Sequence, residues 1–233
     1  MQAIEPHLVS VKLERNQLIE DYETPTEKVL FPTNSVISVV LDMSDGDTAE
    51  IGIIGRDGMT GLAIVLGEPS VNQRSIVQIP DGALSLPAAY FRSAIDDDPE
   101  FRAFTLRYAR AVLSATARLS ACNALHPTTE RCARWLLMAQ DRVEGDLLLL
   151  TQEFLGQMLG VRRASVALAA SQLQEAGFIS YSRGHINIKS RGGLESAACE
   201  CYLAMERDWK STMGYGLRDA ADSPASLDGA ALR

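Results

Sequence analysis

The segment from Leu150 to Lys189 constrains the fold of this chain more than any other. It contains two successive amphipathic helical patterns, each followed by a glycine that can end a helix. The first pattern, Gln152–Leu159, follows a threonine suited to capping and ends at Gly160, a residue suited to the left-handed conformation. The second pattern, Arg162–Ala176, ends at Gly177. Apolar residues recur at helical spacing along one side of it and predict a buried face: Val166, Ala169, Ala170 and Leu173.

The outward face of the second helix is polar and carries Arg162, Arg163, Ser165 and Gln172. Two helices joined by a short turn are typical of a helix-turn-helix, in which the first helix supports the second. The major groove of DNA admits one helix, and an arginine there can donate two hydrogen bonds to guanine. We therefore predict that these four side chains contact double-stranded DNA.

A hairpin pattern follows the second helix directly. Apolar and polar residues alternate over 178–182 and again over 185–189, and Arg183-Gly184 stands between the two runs as a turn. This predicts a two-stranded wing with Arg183 at its tip and Lys189 at its base, both placed to contact phosphates. Thr151, at the start of the first helix, completes the predicted DNA-binding set.

These residues also carry a family resemblance. The run LTQEFLGQMLGVRRASVALAASQLQEAGFISYSRGHINI resembles the C-terminal domain of the Crp/Fnr transcription regulators, and ACNALHPTTERCARWLLMAQDR is similar to the helix that leads into it. The resemblance implies a homodimer on a palindromic operator, with RNA polymerase as a further partner. It places Arg163 at a base-reading position and Ser165 at a backbone-contacting one. Ala164 and Leu168 replace a glutamate and an arginine common in that family, so the family's operator sequence is not transferred.

Most of the first ninety residues have a different pattern, which is typical of β-strands. Short β-branched runs separated by Gly, Pro and Asp turns fill residues 28–88, which predicts a small sandwich or jelly roll. Residues 1–22 are predicted to be helical. The fold class is therefore α+β: an N-terminal jelly roll like a cyclic-nucleotide-binding domain, a long dimerisation helix and a C-terminal winged helix-turn-helix.

Asp98-Pro99 predicts the start of the long helix, and His126-Pro127 predicts its end. We assign residues 1–98 to the effector domain, 99–126 to the dimerisation helix, 127–213 to the DNA-binding domain and 214–233 to a flexible tail. An apolar stripe along the helix predicts the dimer interface, although packing on the chain's own sheet is an alternative. The predicted interface residues are Phe104, Tyr108, Ala111, Ala115, Leu119 and Cys122.

The net charge of −8 does not by itself suggest a nucleic-acid partner. The distribution does, because residues 156–191 hold five basic residues and one acidic residue. Phosphate attraction is local, since salt screens charges beyond about 8–10 Å. No apolar run is long enough to span a membrane and no leader pattern is present, so we expect a cytoplasmic protein without a membrane partner.

The resemblance also suggests where an effector binds. Family members that bind cyclic nucleotides present Gly-Glu to the ribose and Arg-Ser to the phosphate. Here Arg74-Ser75 matches the second pair, but Gly61-Leu62 has a leucine in place of the carboxylate. We therefore take Gly61, Leu62, Arg74 and Ser75 as candidate effector residues and expect an unknown small-molecule effector other than a cyclic nucleotide.

Two other classes of function remain as alternatives. A metal-dependent jelly-roll enzyme needs clustered histidine ligands, and residues 28–90 contain no histidine, so no catalytic residue is predicted. A ligand- or partner-binding jelly-roll protein that has lost specific DNA binding is the runner-up. The four cysteines are expected to be free thiols, His126 a capping or packing residue, and no cofactor or metal is predicted.

Overall fold

The computed structural model describes residues 4–217. A 3-10 turn at Glu5–His7 precedes two antiparallel sheets. Their strands are β1 (Val9–Lys12), β2 (Leu18–Glu20), β3 (Lys28–Pro32), β4 (Val36–Asp42), β5 (Thr48–Ile54), β6 (Arg74–Ile79) and β7 (Gly82–Pro87). One sheet has the order β1-β7-β3, the other β2-β6-β4-β5, and α1 (Leu62–Val65) lies between β5 and β6.

The jelly-roll prediction for residues 28–88 is confirmed, and the helix predicted for residues 1–22 is wrong within the described part. Val9–Lys12 pairs with β7 and Leu18–Glu20 pairs with β6, both more than fifty residues away. A short segment of mixed polarity has weak helical and strand preferences, and long-range pairing decides between them. Apolar side chains from both sheets meet in the interior, among them Leu30, Ala83, Ile37 and Val77.

The rest of the described chain is mostly helical. Its elements are α2 (Ala88–Asp97), α3 (Pro99–Leu125), α4 (Thr128–Gln140), β8 (Leu147–Leu149), α5 (Gln152–Leu159), α6 (Arg163–Glu175), β9 (Ile179–Ser182), β10 (His185–Ile188), α7 (Arg191–Ala197) and α8 (Cys201–Met213). The long helix starts where the sequence predicts it, since the Asp98 carboxylate accepts hydrogen bonds from the backbone N–H groups of Glu100 and Phe101. The described residues contain no helix that is both long and apolar enough to cross a membrane.

The apolar stripe of α3 packs inside its own chain, which corrects the predicted dimer interface. Tyr108, Ala111, Leu119 and Cys122 are all buried in the single chain, Ala115 is partly buried, and Phe104 is 40% exposed. The Tyr108 ring meets the Trp209 ring of α8 edge-on, with 6.0 Å between ring centroids. A helical stripe predicts that something covers it, but not whether the cover is a partner or another part of the chain.

The end of the described chain also differs from the prediction. Gly214 ends α8 in the left-handed conformation, and Leu217 is buried in the same core as Tyr108. Residues 214–217 therefore pack against the protein instead of fraying. The remainder of the predicted tail, residues 218–233, lies outside the described residues.

The β-rich N-terminal region and the C-terminal helix-turn-helix region meet through buried polar contacts. The Trp135 indole N–H on α4 donates to a Glu50 carboxylate oxygen on β5 at 2.7 Å. The Arg142 guanidinium, just after α4, forms an ion pair with Asp57 at 2.6 Å, and both side chains are buried. Gly55 allows this approach, because a Cβ there would lie 2.5 Å from Cγ of Arg142.

Candidate nucleic-acid interface and effector cavity

Helices α5 and α6 form the predicted helix-turn-helix. The Thr151 hydroxyl caps α5 by accepting a hydrogen bond from the Phe154 N–H at 3.2 Å, and Gly160 ends the helix at φ 60°. The four residues predicted to form the inner face of α6 are all buried: Val166, Ala169, Ala170 and Leu173. Burial of that face fixes α6 on α5 and turns its opposite side to solvent.

The arginines at the start of α6 are free to reach a ligand. Arg162, Arg163 and Ser165 are exposed. No acidic residue in the described part of the chain forms an ion pair with Arg162 or Arg163. Ala164 is exposed as well, and Leu168 is 62% exposed, so apolar atoms stand beside the two charges. The first turn of α6 thus offers two unpaired cations, a hydroxyl and small apolar groups on one exposed end.

Gln172 has a different environment. Its side-chain oxygen accepts a hydrogen bond from the Thr129 hydroxyl of α4 at 2.6 Å. That contact holds the side chain against α4, two turns beyond Ser165. The sequence pattern could not reveal this partner, because Thr129 and Gln172 lie 43 residues apart.

The wing has three strands where the sequence predicts two. Strand β10 pairs with β9 on one side and with β8 on the other. Arg183 and Gly184 form the tip with φ of 48° and 79°, the two positive values that a type I′ turn requires. Arg183 and Lys189 are exposed and form no ion pair with a described residue. Arg191, which contributes to the basic count of this region, instead pairs with Asp141 and Glu195 and therefore serves the fold.

The structure does not gather the candidate effector residues into one site. Gly61 and Leu62 line a cavity, whereas Arg74 lies outside its lining and pairs with Asp42 at 2.7 Å. The Ser75 hydroxyl donates to one oxygen of the Glu20 carboxylate at 2.6 Å, and the Gly61 N–H donates to the other at 3.0 Å. Two donors of the kind that would hold a phosphate are thus already satisfied by an internal carboxylate.

The cavity lies between the four-stranded sheet and α3. Its volume is about 470 Å³, in the range typical of small-molecule sites. The lining is largely apolar, and Glu20, Gln73 and Arg110 are among its polar members. Residues on the exposed side of α3 contribute to it: Leu106, Arg110 and Leu113. An effector in this cavity would therefore touch both the sheet and the long helix.

Comparison with known proteins agrees with this architecture. Residues 130–197 match the family model of the Crp-like helix-turn-helix domain. None of the curated proteins matches the chain in sequence. Among solved structures, FixK2 from Bradyrhizobium japonicum has 19% sequence identity and a TM-score of 0.62, and the match covers 82% of this chain and 98% of that one. The fold is that of the Crp/Fnr regulators.

Two other structures illustrate the range of the Crp/Fnr fold. A CRP-family transcriptional regulator from Thermus thermophilus has 15% identity and a TM-score of 0.67, with 81% of this chain and 96% of that chain covered. The c-di-GMP-responsive global regulator CLP from Xanthomonas campestris has 14% identity and a TM-score of 0.60, with 80% and 96% covered. The structural similarity therefore spans most of the chain, with the β-rich N-terminal region, the long helix and the Crp-like helix-turn-helix domain.

Sequence reasoning missed two groups of polar residues. The predicted helix over residues 1–22 includes Glu20 and gives no sign of its place beside Gly61 and Ser75. The sequence pattern likewise does not bring together Cys122, His126, Cys199 and Cys201, whose ligand atoms lie within 4.8 Å of one another. The spacing of Cys122 and His126, four residues apart on one helix face, and the pair Cys199-x-Cys201 were the available signals.

Proposed function

We propose that this protein is a homodimeric transcription regulator that inserts α6 into the major groove of each half of a palindromic operator. The observation that carries this proposal is the exposed, unpaired Arg162–Arg163 pair at the start of a buried-face helix. Arg163 reads bases, since its side chain projects from the first turn of α6. Arg162, Ser165, Thr151, Arg183 and Lys189 contact the DNA backbone.

The dimer interface in this proposal is the exposed side of α3, opposite the buried stripe. All members of this face are exposed in the single chain and recur in steps of three and four: Ala103, Leu106, Arg110, Leu113, Ala117, Ser120 and Ala124. A seven-residue repeat with small residues and leucines suits two helices packed side by side. Leu113 is 71% exposed, a large apolar side chain that pairing would remove from water.

Control by a cyclic nucleotide is not part of the proposal. A phosphate near Gly61 and Ser75 would meet the Glu20 carboxylate, and Arg74 is engaged by Asp42. Like charges at such short range disfavour binding. The apolar lining of the cavity instead favours an uncharged small molecule, whose contacts with Leu106 and Leu113 would reach the proposed dimer face. RNA polymerase remains the expected partner for transcription.

Selection of bound DNA from a random pool tests the proposal directly. A two-fold symmetric site with half-sites one helical turn, about 34 Å, apart is expected. Recovery of an asymmetric site, or of no enriched sequence at low salt, would contradict it. Isothermal calorimetry with cyclic AMP and cyclic GMP tests whether a cyclic nucleotide is the effector. No binding of either nucleotide is expected at micromolar concentration.

The runner-up, a jelly-roll protein that has lost specific DNA binding, predicts a different pattern. It would bind DNA of all sequences with equal, salt-sensitive affinity or not at all. The exposed cations of α6 and the wing favour the regulator. Arg162, Arg163, Arg183 and Lys189 lie on neighbouring elements without an ion pair to any described residue, and a protein that no longer binds DNA would not be expected to keep them so.

A further inference from the structure

Three cysteines and a histidine converge where α3 ends and α8 begins. Cys122 lies in the last turn of α3, His126 directly follows that helix, Cys199 lies in the loop after α7, and Cys201 is the first residue of α8. Their ligand atoms all lie within 4.8 Å of one another. The three cysteines are free and buried, and they form a cluster of their own. This group is named the Cys3His cluster below.

The spacing fits the coordination of a single metal ion. The sulfurs of Cys122 and Cys199 are 3.5 Å apart, and the Cys201 sulfur lies 3.6 Å from Nδ1 of His126. A tetrahedral zinc ion with bonds of about 2.3 Å to sulfur and about 2.0 Å to nitrogen separates such ligands by about 3.5–3.8 Å. A cluster of two or four irons would hold at least some of its ligands further apart, because ligands on different irons are separated by the width of the cluster, whereas all four ligand atoms here lie within 4.8 Å of one another.

The surroundings of the Cys3His cluster also suit a metal. Nε2 of His126 lies 3.2 Å from the Glu200 carboxylate, so Nδ1 can face the sulfurs while the other ring nitrogen donates to an acid. Such a carboxylate orients a zinc-bound histidine in many proteins.

Arg134 supplies a second, independent observation. It is buried, and none of the described acidic residues forms an ion pair with it. A buried cation is costly unless negative charge lies nearby, and Glu50 is a buried carboxylate that interacts with Arg134 electrostatically without forming an ion pair with it. Zinc with three thiolates and a neutral histidine carries a charge of about −1, which would add negative charge near this arginine.

We propose that Cys122, His126, Cys199 and Cys201 bind one zinc ion. All four positions of the tetrahedron are protein ligands, which is the arrangement of a structural site. The ion joins the end of the long helix to the start of α8. The chain enters the Crp-like domain at His126-Pro127, so the metal fixes that entry against the last described helix.

Metal analysis of the purified full-length chain tests the proposal. The protein is prepared with a thiol reductant and zinc in the medium, dialysed, and measured by inductively coupled plasma mass spectrometry. One zinc per chain is expected. Cys122→Ser, Cys199→Ser and Cys201→Ser should each retain less than a fifth of it, whereas Cys132→Ser, which removes a buried cysteine outside the cluster, should retain one. His126→Ala should lose zinc and the exposed His185→Ala should keep it.

Two further measurements test the proposal even if a cysteine variant fails to fold. Cobalt added to the metal-stripped wild type should give the intense visible absorption bands and the sulfur-to-metal charge-transfer bands of a tetrahedral thiolate site. Glu200→Gln, at an exposed side chain, should weaken zinc binding about 10- to 100-fold without changing the stoichiometry at saturation. A reduced wild type without zinc, octahedral cobalt, a Cys122–Cys199 disulfide in place of the metal, or equal loss in Cys132→Ser would overturn the proposal.

Discussion

At the scale of single residues, Arg163 is the side chain proposed to read bases, and its substitution distinguishes sequence-specific binding from general attraction to DNA. Its guanidinium projects from the first turn of α6 without an ionic partner among the described residues. Arg163→Ala should cost about 1–3 kcal/mol at the selected operator and relax preference at one base pair. Fluorescence anisotropy on the operator and on single-base variants measures both. Arg207→Ala, at an exposed arginine of α8, is the control, and an equal loss on random DNA would remove the base-reading role.

Substitution of Lys189, at the base of the wing, should affect DNA binding differently from substitution of Arg163. A phosphate contact carries no sequence information, so Lys189→Ala should weaken binding to all sequences alike. The slope of log affinity against log salt should fall by about one. Binding titrations at several salt concentrations check this, and a changed base preference would rule out the phosphate assignment.

Glu50 makes stability depend on pH. Burial raises its pKa from 4.5 to about 7, although Ser38 and Trp135 donate hydrogen bonds to it. Between these values the folded chain holds a proton that the unfolded chain releases, so this group destabilises the fold as pH rises. The contribution is about 3 kcal/mol.

Glu50→Gln keeps the shape and removes the titration. The difference in free energy of unfolding between wild type and Glu50→Gln should therefore change by about 3 kcal/mol between pH 4.5 and pH 8, in favour of the variant at high pH. Urea denaturation at both pH values measures it. Parallel pH profiles for the two proteins would show that Glu50 titrates normally.

Residue-level prediction from sequence succeeded where local pattern decides the environment. Arg162 and Arg163 precede a regular apolar face, and helical periodicity alone turns them outward. It failed where the environment of a side chain depends on a residue distant in sequence, as for Gln172, which bonds to Thr129, and Ser75, which bonds to Glu20. The Cys3His cluster is the extreme case, because Cys122 and Cys199 are separated by 77 residues.

At the scale of elements, α3 has two apolar faces with different environments. The stronger stripe is covered by the chain itself, so the proposed dimer uses the weaker face around Leu106 and Leu113. Leu113→Glu should raise the dimer dissociation constant at least 100-fold, since two-fold symmetry removes two leucine contacts of about 1.5–3 kcal/mol each. Sedimentation equilibrium measures this. Leu203→Glu, at an exposed position of α8, should leave the dimer intact, and a dimer unaffected by Leu113→Glu would place the interface elsewhere.

Elements differ in how far their sequences reveal them. Asp98-Pro99 predicts the start of α3, and Gly160 predicts the turn between α5 and α6, because capping residues and residues in the left-handed conformation act locally. Strands β1, β2 and β8 were missed because each is short and gains its hydrogen bonds from a strand remote in sequence. The Leu147–Leu149 run also lacks the alternation that marks a half-buried strand.

At the scale of the whole molecule, the buried Arg142–Asp57 pair is one of the contacts that join the β-rich N-terminal region to the Crp-like domain. Asp57 lies after β5 and Arg142 after α4. Removing one partner of a buried pair leaves an unpaired charge and typically costs about 3–5 kcal/mol. Sequence could not reveal this pairing, since the two residues are 85 positions apart.

Asp57→Asn should therefore lower the free energy of unfolding by about 3 kcal/mol or more, because the Arg142 charge stays buried without its counter-ion. Asp42→Asn, which breaks the partly exposed pair with Arg74, is the matched control and should cost at most about 1 kcal/mol. Urea denaturation compares the two variants. Hydrogen exchange should also quicken first in α4, where Arg142 also donates to the Met138 carbonyl. Equal costs for the two variants would mean that the domains are joined by apolar packing, with the ion pair adding little.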